Sequence, residues 1–369
     1  MNDIEAIVKD AGNFRRCVGK GHPYKPLYVK IKIVWACNLR CGMCNHWRDR
    51  VESPLDLDFY KTLVNELAEL GCQKIHLTGG EPTLRPNLEE IIAHIRDRGI
   101  RPTMTTNATL IDGDRAYSLT QAGLRKVNIS IDSPYPDIHD KIRGIPGAWT
   151  KATAGFQYLR PWLKSGRMQI NTVVHQLNYL SLIDLPDFAV SLGADRINLI
   201  PMDEHTPDFQ RLTLEQIQDY NQRIAPVIAE KGVKFGLIDN PKKAYIFGET
   251  AAEIEQSLTG RYAHSYYDSH LCFAPWTHAL IDHIGQVSVC CMLPNSPIIG
   301  DLRSSSFTEI WNGEAYQALR NPTYLPLFET CRNCDMFLEN NRRLEELVEK
   351  PTWGFNSINR AVRSFNLNR

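Results

Sequence analysis

The sequence has no excess of either charge and no long apolar run. Lys and Arg together number 42 in 369 residues, and Asp and Glu also number 42, so the net charge is zero. A balanced charge gives no support for binding to nucleic acid or to an anionic membrane. No apolar run approaches the ~20 residues that a membrane span requires. We therefore expect a globular protein with neither a nucleic-acid nor a membrane partner.

The N-terminus lacks the basic and apolar regions of a secretory signal peptide. We therefore expect a cytoplasmic protein. In that compartment the thiols of its ten cysteines bind metals more often than they form disulfides. Three of them lie within residues 37–44 and five within residues 272–334. Only Cys17 and Cys72 stand alone, and we interpret them as ordinary, partly buried thiols.

The first cysteine group has a C-x3-C-x2-C spacing. Cys37, Cys41 and Cys44 follow residues 28–34, whose alternating apolar and polar residues predict a strand. Several thiolates from one tight loop are typical of an iron–sulfur cluster, and three ligands leave one iron of a four-iron cluster open. A partial zinc site and a disulfide are the alternatives. Structural zinc usually takes four ligands, and His46 is too close to Cys44 along the chain to complete a tetrahedron.

The second cysteine group combines a predicted hairpin with a later C-x2-C pair. Cys272, Cys290, Cys331 and Cys334 would form a closed site with four ligands. Zinc and a 4Fe–4S cluster both fit that ligand set, so the spacing alone leaves the two open. Cys291 is the spare thiol. We interpret it as a packed thiol, with an exchanged ligand or a hydrogen-atom donor as alternatives.

Predicted strands alternate with predicted helices between residues 28 and 238. The strands are predicted at 28–34, 74–78, 101–106, 126–131, 168–174 and 196–201, with a possible last strand at 233–238. Such alternation favours a parallel sheet, because parallel strands need crossover helices. Six units are fewer than the eight of a closed barrel, and a doubly wound sheet is the alternative.

The rest of the chain is predicted to form smaller units. These are an N-terminal lead-in with a short helix at 1–27, a polar helical linker at 239–261, an α+β domain at 262–340, and a C-terminal helix and tail at 341–369. Within the α+β domain, residues 278–291 predict a β-hairpin and residues 307–319 a helix capped by Ser305 or Ser306.

Polar residues follow the ends of the predicted strands. Gly79-Gly80-Glu81 ends the second strand, where glycines allow a ligand to approach the backbone closely. Asn107 ends the third strand and Ser130 the fourth, with Arg143 on a following turn. A hydroxyl and a guanidinium together suit a carboxylate.

Further polar groups follow the fifth and sixth strands. His175 comes after the fifth, and Glu204 and His205 come after the sixth. They are candidates for catalysis or substrate binding at the same sheet edge, with a solvated loop as the alternative for each.

These motifs resemble those of the radical S-adenosylmethionine (SAM) superfamily. The resemblance implies a partial (β/α)6 TIM-like barrel with its chemistry at the C-terminal strand ends. It also implies that Cys37, Cys41 and Cys44 hold a 4Fe–4S cluster whose open iron binds SAM. Met43, where relatives often have an aromatic residue, would pack near the adenine.

The same resemblance assigns the other SAM contacts. Gly79, Gly80 and Glu81 would contact the amino group, and Ser130 and Arg143 would hold the carboxylate. We also expect Asn107, at the end of the third strand, to approach the nucleoside, with a turn-forming residue as the alternative. Ser133 stands where relatives commonly have glycine.

The second cysteine group resembles the truncated SPASM, or twitch, domain, which binds one auxiliary 4Fe–4S cluster. By resemblance, its ligands are Cys272, Cys290, Cys331 and Cys334. No cysteine follows Cys334, so no second auxiliary cluster is expected.

The resemblance implies a redox reaction. An electron from a donor such as flavodoxin or ferredoxin would cleave SAM to methionine and a 5′-deoxyadenosyl radical, which takes a hydrogen atom from an unactivated carbon. An auxiliary cluster that accepts the second electron suits the oxidation of an alcohol. The leading hypothesis is a dehydrogenase-like oxidoreductase acting on a small polyhydroxylated substrate, a sugar or an aminocyclitol. The alternatives are an epimerase of a sugar-like compound, an enzyme that modifies a ribosomally made peptide, and a zinc-containing binding protein.

Overall fold

The computed structural model describes residues 4–48, 55–163, 167–202, 210–291, 297–335 and 338–349. Nine strands form a single sheet: β1 Tyr28–Val34, β2 Lys74–Gly79, β3 Arg101–Thr106, β4 Lys126–Ser130, β5 Arg167–Val174, β6 Arg196–Pro201, β7 His278–Ile281, β8 Gln286–Ser288 and β9 Gly300–Asp301. Their spatial order is β6-β5-β4-β3-β2-β1-β7-β8-β9. The six strands predicted between residues 28 and 201 are confirmed.

Helices alternate with the strands from β1 to β6, as predicted. In chain order they are α1 Ile4–Lys9, α2 Ala11–Lys20, α3 Leu57–Glu69, α4 Leu88–Asp97, α5 Gly113–Ala122, α6 Pro136–Arg143, α7 Ala148–Leu159, α8 Leu185–Leu192, α9 Leu214–Asp219, α10 Ala225–Lys234, α11 Ala251–Leu258, α12 Ala274–Thr277, α13 Phe307–Asn312, α14 Glu314–Arg320 and α15 Leu338–Glu349. No helix in these ranges is long and apolar enough to cross a membrane.

Each of the strands from β1 to β5 pairs in parallel with the next, and each of the five crossovers contains a helix. The α3 helix illustrates why these segments fold as they do. Asp56 caps its N-terminus by accepting from the backbone N–H of Phe59, and its apolar face, including Leu63 and Leu67, is buried. The predicted parallel α/β sheet is confirmed.

Alternate residues of each strand bury their side chains beneath the helices. On β1, Ile31 and Ile33 are fully buried. Lys30 and Lys32, which alternate with them, are half-buried and lie on the opposite face. The same alternation runs through β4, β5 and β6. The face away from the helices is therefore the inner wall of the barrel.

The predicted C-terminal hairpin is confirmed, and it continues the barrel sheet. Strand β7 lies parallel to β1, from the pair of Tyr28 with His278 to the pair of Ile31 with Ile281. His278 Nδ1 donates to the Tyr28 carbonyl at 2.7 Å. The β7–β8 pair is antiparallel, and so is the β8–β9 pair. The C-terminal part of the chain is thus attached to the barrel through β1.

The strand proposed at 233–238 is wrong. Helix α10 continues to Lys234, and the N–H groups of Leu237 and Ile238 then fold back onto the Gly232 carbonyl. The helix predicted ahead of it contains a π-helical turn at Tyr220–Ile224. Pro226 accounts for this turn, because it has no N–H to donate within the helix.

Two further segments differ from the prediction. The Asp- and Pro-rich turn after β4 is helix α6, so Arg143 is the last residue of a helix. The helix predicted at 307–319 divides at Gly313 into α13 and α14. Ser306 caps α13 in a capping box with Glu309, as one of the two predicted caps.

Candidate functional site

The loop that carries the first three cysteines lies directly against the end of β2. The N–H of Gly80 donates to the Val34 carbonyl, and the N–H of Glu81 donates to the Ala36 carbonyl, both at 2.9 Å. A Cβ on Gly79 would lie 2.1 Å from the Val34 oxygen, and one on Gly80 would lie 2.0 Å from the Ala36 oxygen. Both positions therefore require glycine, because any side chain would push the loop away.

The other side of the loop is held by the end of α6. The Arg40 N–H donates to the Arg143 carbonyl at 3.0 Å, and the Gly42 N–H donates to the Ile142 carbonyl at 3.3 Å. A Cβ on Gly144 would lie 2.4 Å from the Arg40 oxygen. The cysteine loop is thus fixed between the end of β2 and the end of α6, which are distant in sequence.

The three thiols share an apolar pocket. Cys41 is buried, and Cys37 and Cys44 are half-buried. The other side chains packed with them are Leu39, Met43, Ile145 and Ala148. Burial raises the pKa of Cys37 to about 11 and also raises the pKa of Cys41. Metal binding by these thiols therefore releases protons.

Polar groups reach two of these sulfurs. Arg143 Nη1 lies 3.7 Å from Cys41 Sγ, and Asn107 Nδ2 lies 4.0 Å from Cys37 Sγ. The backbone N–H of Leu39 is 3.5 Å from Cys37 Sγ. Donors aimed at sulfur stabilise thiolates, which is the form that binds iron.

The cysteine spacing fits a multi-iron cluster better than a single ion. Zinc thiolates all lie about 2.3 Å from one ion, whereas each cluster thiolate binds its own iron. Both cysteine groups supply free thiols, and thiolates are the ligands that iron–sulfur clusters take.

Both carboxylate oxygens of Glu81 accept hydrogen bonds from neighbouring residues of the chain. Glu81 is only 1% exposed. Its Oε1 accepts from the hydroxyls of Thr83 and Thr106, each at 2.6 Å. Its Oε2 accepts from the Asn107 N–H at 2.7 Å. We predicted a SAM contact for Glu81, and these bonds instead give its carboxylate the part of positioning Asn107.

Arg143 forms a buried ion pair. Its Nε lies 2.7 Å from Asp132 Oδ2, and Asp132 is fully buried. Asp132 Oδ1 also accepts from the Val173 N–H at 3.1 Å. Burial alone would lower the pKa of Arg143, but Asp132 and Cys41 raise it above its usual value. Ser130, at the end of β4, is half-buried on the inner wall.

Two histidines lie beneath this ion pair. His139 Nδ1 accepts from the Asp132 N–H at 3.1 Å, and burial, with Arg143 nearby, lowers its pKa to about 4. His175 was predicted as a catalytic residue, but it is fully buried. Its Nδ1 accepts from the Leu177 N–H at 3.3 Å. This placement supports a structural part for His175. The other two predicted catalytic residues of this edge, at 204 and 205, lie outside the described residues.

All five C-terminal cysteines pack into one cluster. Cys334 is buried and the others are half-buried: Cys272, Cys290, Cys291 and Cys331. Burial raises the pKa of Cys331 to about 12. The packing does not distinguish Cys290 from Cys291 as a ligand.

Asn341 and Tyr267 order one side of this cluster. Asn341 Nδ2 lies 3.6 Å from Cys272 Sγ and donates to the Tyr267 hydroxyl at 2.7 Å. Its Oδ1 accepts from the Phe273 N–H at 3.0 Å. We missed both residues, because an Asn on a charged helix carries no signal of its own.

An aromatic stack joins the first cysteine loop to the hairpin. The Trp35 ring lies 4.4 Å from the His46 ring on one side and 4.7 Å from the His283 ring on the other. His46 Nδ1 is 3.2 Å from Cys44 Sγ. Lys32 Nζ lies 5.6 Å from the centre of the Trp35 ring.

Lys32 also relates the two cysteine groups to each other. Burial lowers its pKa, and Cys291 and Cys44 both act to raise it. Lys32 lies on β1, which the first cysteine group follows directly and with which the hairpin that precedes Cys290 and Cys291 is paired. Both cysteine groups are therefore attached to β1.

Two family models match the chain. Residues 31–164 match the radical SAM superfamily, and residues 272–335 match SPASM, an iron–sulfur cluster-binding domain. The AdoMet-dependent heme synthase of Methanosarcina barkeri is 28% identical over 316 residues, which cover 81% of this chain and 86% of that protein. A PqqA peptide cyclase of Bradyrhizobium diazoefficiens is 32% identical over 176 residues, which cover 47% of this chain and 46% of that protein.

Solved structures share the fold. Streptococcus suis SuiB bound to S-adenosylmethionine superposes with a TM-score of 0.63 at 17% identity, over 86% of this chain and 73% of that one. Native anSMEcpe with bound AdoMet superposes with a TM-score of 0.60 at 17% identity, over 85% of this chain and 87% of that one. The predicted partial barrel with a C-terminal SPASM domain is confirmed, and its truncated twitch form stays a prediction. The chain therefore contains a radical SAM domain and a C-terminal SPASM domain, and these domains imply SAM and 4Fe–4S clusters as its cofactors.

Proposed function

We propose that this enzyme oxidises a small polar substrate held inside the barrel. The observation that carries the proposal is that both cysteine groups are attached to β1, the first directly after the strand and the second through the β7–β8 hairpin that pairs with it. One group suits the start of a radical reaction, and the other suits removal of the second electron. A net two-electron oxidation, such as alcohol to carbonyl, uses both.

Cys37, Cys41 and Cys44 are proposed to hold the SAM-binding cluster. When bound, this cluster supplies the electron that converts SAM to methionine and a 5′-deoxyadenosyl radical. Arg143 and Ser130 are proposed to hold the SAM carboxylate. Because the buried Asp132 fixes Arg143, the cation is oriented before SAM arrives, and little reorganisation is needed on binding.

The remaining SAM contacts follow from the same loop. Gly79 and Gly80 leave backbone groups open for the SAM amino group, and Asn107, held by Glu81, is proposed to face the nucleoside. Met43 packs between the cysteine loop and Ile142, where a thioether suits the adenine ring. The apolar residues around Cys41 exclude water from the reacting groups.

Cys272, Cys290, Cys331 and Cys334 are proposed to hold a single auxiliary 4Fe–4S cluster. Cys291 is then a thiol without an assigned ligand role, beside the ligands. In an epimerase it would donate a hydrogen atom to the substrate radical. In the proposed oxidation it has no chemical part.

Polar side chains on the inner wall support a polyhydroxylated substrate such as a sugar. These inward positions are Thr105, Asn128, Gln169, Asn171 and Asn198. Amides and hydroxyls are donors and acceptors that match sugar hydroxyls. The heme synthase relative, aligned over 86% of its length, favours a small molecule. The peptide cyclase relative favours peptide modification as the second candidate.

The test is an anaerobic assay of the reconstituted enzyme with reduced flavodoxin or ferredoxin. We expect about eight irons per chain, SAM cleavage on reduction, and transfer of deuterium from a labelled substrate into 5′-deoxyadenosine. Cys41→Ala should abolish cleavage, whereas Cys17→Ala, outside both groups, should retain it. Zinc in place of iron, or no SAM cleavage by the iron-loaded enzyme, would overturn the proposal.

Cys291→Ala separates oxidation from epimerisation. If the enzyme oxidises its substrate, the variant should keep full turnover and consume one SAM per product. If Cys291 supplies a hydrogen atom, turnover should be lost while SAM cleavage continues. Equal loss of four irons in Cys290→Ala and Cys291→Ala would contradict the ligand assignment.

A further inference from the structure

The inner wall of this barrel is polar where a closed barrel is packed with apolar side chains. Closed eight-stranded barrels fill their interior with bulky branched residues. Here most apolar residues of β1, β4, β5 and β6 face the helices, and the inward residues of these strands are polar except Tyr28, Val34, Val173 and Ile200. The interior is therefore lined by groups that bind water or a polar ligand.

The charges on this wall have one sign. Basic residues occupy inward positions on all six strands: Lys30 and Lys32 on β1, Lys74 on β2, Arg101 on β3, Lys126 on β4, Arg167 on β5 and Arg196 on β6. No inward position of these six described strands carries Asp or Glu. In a chain with equal numbers of acids and bases, this separation creates a positive interior.

Acids from outside these strands balance some of the bases. Arg196 lies 3.6 Å from Asp239. The Asp335 carboxylate is near Lys30, which acts to lower its pKa against the larger effect of burial. Asp282 likewise acts on Lys32, and its negative charge acts to raise the pKa of that lysine.

Lys126 has no such balance. Within the part of the chain that the structure describes, its ammonium makes no ion pair or hydrogen bond. It is half-buried, and burial together with Arg167 and Arg196 lowers its pKa. A half-buried charge without a partner has lost part of its hydration, so a ligand that supplied the missing anion would be bound favourably.

Neutralising the iron–sulfur clusters does not account for Lys126. That explanation fits Lys32, whose pKa Cys44 and Cys291 both act to raise. Lys126 stands on β4, however, and β2 and β3 lie between β4 and the strand to which both cysteine groups are attached. The charge of Lys126 therefore serves another part of the barrel.

We propose that the barrel binds a substrate through an anionic group, a carboxylate or a phosphate, at Lys126. The inference rests on the proposed function, in which the substrate occupies the barrel. Lys126 is four residues before Ser130 on β4, a distance of about 13 Å along the strand. The anion lies at the deep end of the barrel, and the reacting carbon lies toward the strand ends. An aminocyclitol is disfavoured, because its ammonium would face like charges, and a sugar acid or sugar phosphate is favoured.

The test uses probes that share one carbon skeleton and differ in charge. Glucarate, glucose 6-phosphate, glucose and glucosamine are titrated by calorimetry into the SAM-saturated, unreduced holoenzyme. At least one anion should bind about tenfold or more tightly than glucose, as one charge-assisted hydrogen bond permits. Glucosamine should bind most weakly. The tighter anion identifies carboxylate or phosphate as the preferred group.

Substitutions locate the binding site. Lys126→Gln should weaken binding of the preferred anion about tenfold and leave glucose binding unchanged. Lys151→Gln makes the same change on an exposed helix surface and should have no effect. Equal binding of all four probes, no binding of either anion, or full anion affinity in a folded Lys126→Gln variant would overturn the proposal.

The two proposals are tested by independent measurements. SAM cleavage on reduction tests the proposed function and needs no added anion. Probe binding is measured without reduction and needs no turnover. If Lys126→Gln does not fold, the charge series on the unaltered enzyme still decides, because glucosamine binding as tightly as either anion contradicts a positive interior.

Discussion

Arg143 and Asp132 form an ion pair of 2.7 Å beneath the cysteine loop. Arg143 also extends its Nη1 to 3.7 Å from Cys41 Sγ. A single guanidinium thus connects the end of β4 with a proposed cluster ligand. Arg143 is only 9% exposed, so the orientation of its guanidinium depends on Asp132 rather than on solvent.

Replacing Asp132 with Asn should therefore impair SAM binding. The change leaves the Arg143 charge buried without a counter-ion, a loss that costs about 3–5 kcal/mol of stability. We expect SAM affinity to fall about tenfold or more. Equilibrium binding of SAM and thermal unfolding are the measurements. Asp97→Asn, on a 60% exposed side chain, should change neither, and a folded Asp132→Asn enzyme with unaltered SAM affinity would contradict the assignment.

Glu81→Gln tests whether Glu81 positions Asn107. A glutamine has one acceptor oxygen, so its NH2 must face either the Asn107 N–H or the Thr83 N–H. An unsatisfied buried donor costs about 1–3 kcal/mol. We expect a lower unfolding temperature together with weaker SAM binding. The exposed Glu255→Gln is the control, and unchanged stability of Glu81→Gln would show that the carboxylate bonds are dispensable.

Gly80→Ala should displace the cysteine loop. The new methyl group would lie 2.0 Å from the Ala36 oxygen and 2.2 Å from the Trp35 oxygen, so the backbone has to move. Iron content should fall by the four atoms of one cluster, or about half. Gly12→Ala has nothing within 4 Å of the new methyl group and should stabilise α2 by about 0.5–1 kcal/mol. Full iron loading of Gly80→Ala would refute the argument.

The contact between β1 and β7 should be sensitive to acid. Burial lowers the pKa of His278 to about 3, while an unfolded chain takes up its proton near the ordinary value of 6.5. Between pH 6.5 and pH 3 the unfolded state binds more protons, so the free energy of unfolding falls as the pH falls. The contribution is complete above pH 6.5, and about 2 kcal/mol is lost by pH 5.

Denaturant unfolding of His278→Asn against pH tests this point. Asn can still donate to the Tyr28 carbonyl but does not titrate, so its pH dependence between pH 5 and 7 should be shallower. His22→Asn removes an exposed histidine and should keep the original slope. Parallel curves for the unaltered chain and His278→Asn would exclude a contribution from this group.

Local patterns predicted most of the fold. The alternation in Tyr28–Val34 and the apolar spacing in Leu57–Glu69 depend on neighbours in sequence, and both segments form as expected. Pro226 and Gly232 overrode the pattern that predicted a strand at 233–238. The pairing of His278 with Tyr28 could not be predicted, because no local feature specifies which distant edge a hairpin joins.

Some residues of the candidate site were likewise recognisable from the sequence, and others depend on distant contacts. The cysteines and the two glycines at 79 and 80 are recognisable because their chemistry and spacing are unusual. Asp132 and Asn341 depend on contacts across 11 and 69 residues, with Arg143 and Cys272 respectively. Glu81 was identified by its motif, but only its partners distinguish positioning from contact.

Because β1 is hydrogen-bonded to β2 on one side and to β7 on the other, the two halves of this enzyme share a strand. A fragment that ends before β7 would leave the β1 edge uncovered, and uncovered edges invite aggregation. Exchange of SPASM domains between related enzymes should therefore succeed only when the grafted hairpin preserves the register from Tyr28 to Ile31. The spacing between the two redox centres is inherited from this shared strand, so evolution can alter it by reshaping loops but not by sliding one domain past the other.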